Sequence, residues 1–250
     1  MKTPKILILA IAFLLLMFGG SAFLNVLLYT KVKQYYVELN ETRLDPVGLK
    51  NYPINPEAQT DSSQLRVVFF GDSRAAGWTF PKNDDYEFVN RGISSQTSIQ
   101  ASQRFVHHVQ PLQPDVIVIQ IGINDLKTIA LFPADRDQIV ADTQANIQQI
   151  VEASKRLGAI VIITTIFPTG EVPLERKPFW TDAIEEAIKD VNVFINALAE
   201  DRVIIFDAYS LLVNDQGKLL KTHEADELHL KKSGYTTLNQ ELLPILSTLK

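Results

Sequence analysis

The sequence predicts an α/β protein: a doubly wound, three-layer α/β/α sandwich around a five-stranded parallel sheet, preceded by one N-terminal transmembrane helix. Three observations predict it. Strand-length apolar runs alternate with helical segments five times through the second part of the chain. Those runs are continuous, as strands covered on both faces are, with no polar residue at every second place. Ahead of them, Ile6 to Tyr29 is almost wholly apolar and has no polar face to turn toward water.

As a helix, Ile6–Tyr29 would extend about 36 Å at ~1.5 Å per residue, enough to cross a hydrocarbon core of about 30 Å. No charge interrupts it; Gly19, Gly20, Ser21 and Asn25 are its soft spots. A signal peptide is the competing reading, with an apolar region ending near Phe18 and cleavage after Ala22. The run continues through Leu24, Val26, Leu27 and Leu28, which favours an uncleaved anchor. Lys2 and Lys5 precede it and Lys31 and Lys33 follow. The charge rule therefore leans only slightly toward a cytoplasmic N-terminus and an extracytoplasmic domain. A cleaved peptide would make the protein secreted or periplasmic. From Tyr35 to Gln64 the chain turns polar, and Asp45-Pro46, Tyr52-Pro53 and Asn55-Pro56 disfavour helix before each proline. The expected organisation is an anchor over 1–34, a juxtamembrane linker over 35–64 made of a short helix and then an extended stretch, and a folded domain over 65–250.

Within that domain, Val67–Phe70 reads as a buried strand ending at Gly71-Asp72-Ser73. Tyr86–Asn90 is a second, shorter strand, and Ser98–His108 is helical. Asp115–Gly122 is the strongest strand in the sequence. A helix over about 136–157 shows one apolar stripe and stops at Gly158, a usual C′ residue. Ala159–Thr165 is the next strand. Asp182 opens another helix, with Glu185 three residues on in a capping-box pattern. Arg202–Phe206 is the fifth strand, and the last helix spans Ser233–Leu246, with a break expected at Pro244. Right-handed crossovers between such strands give a flavodoxin-like winding.

Composition removes several function classes. There is no cysteine, so disulfides, thiolate zinc sites and a cysteine nucleophile are excluded. The net charge is −5, which argues against nucleic acid as a partner. Residues 1–60 hold six basic and four acidic side chains, the remainder 18 and 25, so the folded part is mildly acidic. Neither a G-x-G-x-x-G after a strand nor a G-x-x-x-x-G-K-[ST] loop is present, and no nucleotide or other cofactor is expected. His107-His108 lacks carboxylates at ligand spacing, so no metal site is expected either.

The chemistry collects at strand ends, where open parallel sheets gather ligands. Asp72 and Ser73 suit a helix cap, but Ser73 is also a candidate nucleophile if a base takes its proton. Imidazole is the natural base near neutral pH, and a carboxylate must hold its tautomer. His229 and Asp226 are three residues apart, within reach of one tight turn; His223 is the other histidine in that loop. Donors for an oxyanion can come from the Ser73 and Gly92 amides and the Asn124 side chain, all at the same sheet edge.

Gly-Asp-Ser at 71–73, Gly92, Gly-x-Asn-Asp at 122–125 and Asp-x-x-His at 226–229 resemble the four blocks of the SGNH (GDSL-like) hydrolase family, in the family's order and across essentially all of 65–250. The resemblance implies a serine esterase or lipase of the SGNH hydrolase fold. Its catalytic residues would be Ser73, Asp226 and His229, and its oxyanion hole the Ser73 backbone, Gly92 and Asn124. Arg74 departs from the aliphatic residue usual after the serine; it would meet an anionic substrate group or face solvent. Trp78 and Phe167 are further candidates for substrate contact, with core or lid packing as the alternative. The expected function is a membrane-tethered hydrolase of a carboxylic ester, either a lipid or lysophospholipid ester or an O-acetylated saccharide, through an acyl-enzyme on Ser73. An O-acyltransferase acting on an envelope glycan through the same intermediate and a non-catalytic glycan- or lipid-binding module are the alternatives. The partners expected are the small-molecule, lipid or glycan ester and, through the N-terminal helix, the membrane.

Overall fold

The computed structural model describes residues 4–53 and 63–249. The chain forms two units, divided between Pro46 and Val47. The first is a single helix, α1, Pro4–Leu44. Among the described residues it is the one helix long and apolar enough to cross a membrane, with a mean hydropathy of 2.6 over its most apolar 18 residues. Its few polar side chains bond back along the helix: Asn25 Nδ2 donates to the Ser21 carbonyl at 2.8 Å and Thr30 Oγ1 to that of Val26 at 2.9 Å. Such internal satisfaction suits a medium without water. The apolar helix and the short helix expected after Tyr35 form one continuous element. The helix runs on for ten residues after Gln34, because no proline intervenes before Pro46 and polar pairs such as Gln34 Nε2–Glu38 Oε1 at 2.8 Å support it.

In the second unit the chain alternates strands and helices as follows: β1 Leu65–Gly71, α2 Ser73–Ala76, β2 Tyr86–Gly92, α3 Ser98–His108, β3 Val116–Gln120, α4 Ile123–Leu126, α5 Arg136–Arg156, β4 Ile160–Thr164, α6 Asp182–Asn196, β5 Val203–Phe206, α7 Ala208–Leu212 and α8 Lys232–Ser247. All five strands are parallel, in the order β2-β1-β3-β4-β5. The sheet is doubly wound, and its two apolar faces account for the continuous runs. Val68, Phe70, Ile117, Ile119, Val161 and Ile163 face one core with side chains of α3, α5 and α6. Val67, Phe69, Val116, Val118 and Ile162 face the other, closed chiefly by Tyr235, Leu238, Leu242 and Leu246 of α8.

Helix ends follow local chemistry, with two departures from expectation. α3 begins with a reciprocal capping box between Thr97 and Gln100. At α6 the cap is Thr181, whose hydroxyl accepts from the Ala183 amide; Asp182 is already helical, and Glu185 instead pairs with Lys218 and Thr169. α8 continues through Pro244, because Leu242 and Leu246 are buried on either side and hold the helix axis across the missing donor. The N-terminal limit of the folded unit also differs from the expected Leu65. Val47–Tyr52 belongs to it, with a short 3₁₀ turn at Leu49–Asn51. Residues 54–62 of the expected linker lie outside the described residues.

Candidate active site

The C-terminal ends of β1, β2 and β3 and the loop ahead of α8 meet at one edge of the sheet. Gly71 closes β1 with φ 153°, and a Cβ there would lie 1.7 Å from the Gln120 carbonyl oxygen, so only glycine lets β1 and β3 run this close while the chain turns. Asp72 then caps α2: its Oδ1 accepts from the Arg74 amide at 2.9 Å. This sets Ser73 at the first position of the helix, half-buried, with its own N–H outside the helical ladder.

On the facing loop, Asp226 Oδ1 accepts from the Leu228 amide at 2.9 Å and the His229 amide at 2.8 Å, and the Ala225 amide donates to the His229 carbonyl at 2.9 Å. This turn lays the carboxylate against the imidazole: Nδ1 of His229 is 2.9 and 2.8 Å from the two Asp226 oxygens. Nε2 of the same ring is 3.0 Å from Ser73 Oγ. Burial pushes the Asp226 carboxyl upward, but the two amides and the imidazole outweigh it and hold the group below its ordinary value. A charged carboxylate in this position is suited to hold an imidazole tautomer with its proton on Nδ1. His223 is not beside the serine; its ring nitrogens face Ser233 and Thr237.

Asn124 is the second residue of α4, after Gly122 turns the chain at φ 121°. It is buried, and its Nδ2 donates to the Gln96 carbonyl at 2.9 Å, leaving a second amide hydrogen. Asp125 braces the same loop by accepting from the Ser98 amide and hydroxyl, at 2.8 and 2.7 Å. Burial pushes both Asp72 and Asp125 up to about 6. Their hydrogen bonds are to backbone and side-chain groups of the loops they brace.

Gly92 does not fit the donor role expected of it. Its N–H is committed to Asn90 Oδ1 at 2.8 Å, and its carbonyl accepts from the Tyr52 hydroxyl at 2.6 Å. A side chain at 92 would fall 2.1 Å from the Ala76 nitrogen, so glycine is required for β2 to pass α2. Three residues on, Ser95 is exposed with φ 65°, and no protein acceptor engages its N–H among the described residues. Among the described residues the Ser94 N–H is likewise without a protein acceptor, and of the two open amides that of Ser95 is next to Gln96, whose carbonyl Asn124 grips.

The three candidates for substrate contact are all buried. Arg74 is fully enclosed: Nε donates to the Leu228 carbonyl at 2.8 Å, an Nη to the Phe167 carbonyl at 3.2 Å, and its guanidinium lies 5.2 Å from the centre of the Phe167 ring. It neither faces solvent nor lines a cleft; it ties the serine's helix to the loop of Asp226 and His229. Trp78 packs in the α8-side core and donates from Nε1 to Asn239 at 2.8 Å. Phe167 packs in the same core. Of the aromatic residues in this region, Phe179 is exposed, on the loop that Arg176 fastens to the buried Glu227 at 2.6 Å. Among the described residues no group of three His, Asp or Glu side chains is gathered to hold a metal.

Residues 69–237 match the GDSL-like Lipase/Acylhydrolase family. No curated protein matches the chain. Among solved structures it is similar to a candidate acylhydrolase of Bacteroides fragilis, at 27% identity and a TM-score of 0.68, covering 82% of this chain and 99% of the other. A GDSL-like lipase of Bacteroides thetaiotaomicron is similar at 27% identity and a TM-score of 0.66, with 82% and 99% covered. An acetyl xylan esterase of Geobacillus stearothermophilus shares the fold at 20% identity and a TM-score of 0.54, with 73% and 94% covered.

Proposed function

Because the chain belongs to the GDSL-like lipase/acylhydrolase family, we propose that it is a membrane-tethered serine hydrolase cleaving a carboxylic ester through an acyl-enzyme on Ser73. The observation behind this reading is the unbroken line from Ser73 Oγ to His229 Nε2 and from Nδ1 to Asp226. Ser73 Oγ attacks the acyl carbon while its proton passes to His229 Nε2. Asp226 balances the imidazolium without taking the proton. The negative oxygen of the tetrahedral intermediate receives the free Asn124 amide hydrogen and the Ser73 N–H, with the Ser95 N–H in place of the Gly92 donor. Collapse expels the alcohol, which leaves with the proton from His229. Water then repeats the sequence on the acyl-serine, giving the acid and restoring the serine.

The substrate class in this proposal is a lipid or lysophospholipid ester or an O-acetylated saccharide. An anchored enzyme meets such esters at the membrane or in the adjoining envelope. The anchor is α1, whose exposed apolar surface from Ile6 through Tyr29 fits a bilayer, and the hydrolase domain lies on the extracytoplasmic side. The folded domain extends from Val47, eighteen residues ahead of the boundary read from the sequence. The test is a fluorophosphonate probe together with p-nitrophenyl esters of graded chain length and an acetylated sugar. Wild type should be labelled and release acyl product without an added acceptor, whereas Ser73→Ala should do neither. Equal labelling of the two would remove the nucleophile assignment.

A further inference from the structure

Residues 47–52 precede the sheet and lie outside the family match, yet their contacts gather on the loop that follows β2. The Tyr52 hydroxyl donates to the Gly92 carbonyl at 2.6 Å. Gln96 Nε2 donates to the Val47 carbonyl at 2.7 Å. Between these points the Leu49 carbonyl is 3.2 Å from His108 Nε2 at the end of α3. The Tyr52 ring meets the His108 ring edge-on at 5.3 Å between centres and has the Arg91 guanidinium 4.6 Å over it. Gly48 makes the turn at φ 73°; a Cβ there would come 2.9 Å from Gln96 Nε2 and 3.2 Å from Ile93.

The loop so held, residues 93–96, is the one that bears the open Ser95 N–H and the carbonyl gripped by Asn124. Gln96 is its junction. The Gln96 carbonyl takes Asn124 Nδ2. Its side-chain oxygen takes Nε of the fully buried Arg104, which also donates to the Gly71 carbonyl at 2.9 Å. Its side-chain nitrogen donates to the Val47 carbonyl. The Gln96 side chain thus has one end on the linker and the other on the residue that anchors the serine's own turn. Without residues 47–52, the Gln96 amide and the Gly92 carbonyl would lose these two bonds, and the loop would keep only its bonds to Asn124 and Arg104 and that of the Ile93 amide to the Gly71 carbonyl at 3.0 Å. Oxyanion donors act through fixed position, so looseness here reduces the rate of the chemical step more than substrate binding.

We propose that Val47–Tyr52 is a brace for the oxyanion loop, with Tyr52 and Gly48 as positioning residues for acyl transfer. This rests on the acyl-transfer reading above. It makes the stretch between anchor and sheet part of the active-site scaffold. The test uses the detergent-solubilised full chain. Tyr52→Phe removes one donor and keeps the ring; Gly48→Ala strains the turn against Gln96.

Hydrogen exchange over residues 92–97 should be faster in both variants. On a short p-nitrophenyl ester kcat should fall about 3- to 10-fold, the worth of a hydrogen bond or two, with KM nearly constant. Both variants should be fully folded at the assay temperature, with a thermal midpoint lowered by only a few degrees and a pH–rate profile as in wild type. Unchanged exchange in both variants overturns the brace, as does a loss of kcat that merely follows a lowered midpoint. Exchange is read without turnover, so a wild type inactive on every ester would count against the acyl-transfer reading and leave exchange to decide the brace.

Discussion

The two halves of the candidate active site are built in opposite ways. On the serine side the supports are buried, and apart from the local Asp72 cap they come from far along the chain: Arg74 reaches Leu228, Arg104 reaches Gly71, and Asn124 reaches Gln96. On the histidine side one four-residue turn sets the carboxylate against the imidazole; Glu227 and Leu228 root it in the fold, and the His229 and Asp226 side chains are 43% and 50% exposed. A nucleophile and its oxyanion donors must hold one geometry through the reaction, which a rigid, low-dielectric setting favours. The base must also meet water and a departing alcohol, and an exposed loop gives both a path. Stiffness and access are thus divided between the two sides, with Arg74 joining them.

The largest test of this division is on the exposed side. His229→Ala should reduce kcat on the order of 10⁴–10⁶-fold, and Asp226→Ala about 10–100 times less severely, since the imidazole keeps its bond to Ser73 without its orienter. Equal effects would mean that the carboxylate does more than orient. On the buried side, Asn124→Ala should cost about 10²–10³ in kcat with an unaltered circular dichroism spectrum; full activity on a short acyl ester would dismiss the oxyanion assignment.

Stability should report the same contrast. Arg74→Met leaves the Leu228 and Phe167 carbonyls unpaired in the core and should lower unfolding free energy by about 3 kcal/mol in urea, whereas Asp226→Ala should change it little. The smallest effect concerns pH. The folded-state value of Asp72 is raised above its unfolded value, so this group favours folding below pH 4 and progressively less as pH rises through about 6. Asp125 has the same sign. Asp72→Asn should therefore flatten the decline in stability between pH 4.5 and 7, by on the order of 1–2 kcal/mol. Parallel curves for the variant and wild type would show that the buried carboxyl is not the titrating group.

What could be read from the sequence follows the same line. The exposed half is a local device, so the three-residue spacing of Asp226 and His229 was enough to find it. Strand ends were legible because uninterrupted runs such as Val116–Ile119 report burial on both faces, and Ser73 and Asn124 stand directly behind such runs. The buried half depends on partners 28 to 154 residues away, and no spacing reports those. Arg74 therefore read as a surface or substrate residue, although it is a clamp. Gly92 read as a donor, although its absent side chain is what β2 needs to clear Ala76. Ser95 left no mark, because serine gives no sign of the left-handed backbone that asparagine or glycine would suggest. Likewise Thr181 and Asp182 are both fair caps, and only the backbone decides between them.

The clamp at Arg74 has a consequence for how the protein is made. Its acceptor at Leu228 follows it by 154 residues, and the base at His229 follows Ser73 by 156. Chains are synthesised from the N-terminus at about 5–20 residues per second. For many seconds the new chain therefore bears a serine without a base and a guanidinium that must stay hydrated. When the loop ahead of α8 arrives, it relieves both at once. On the proposed mechanism, activity and the closing of this core are then one event, and a chain still being made carries no activated serine.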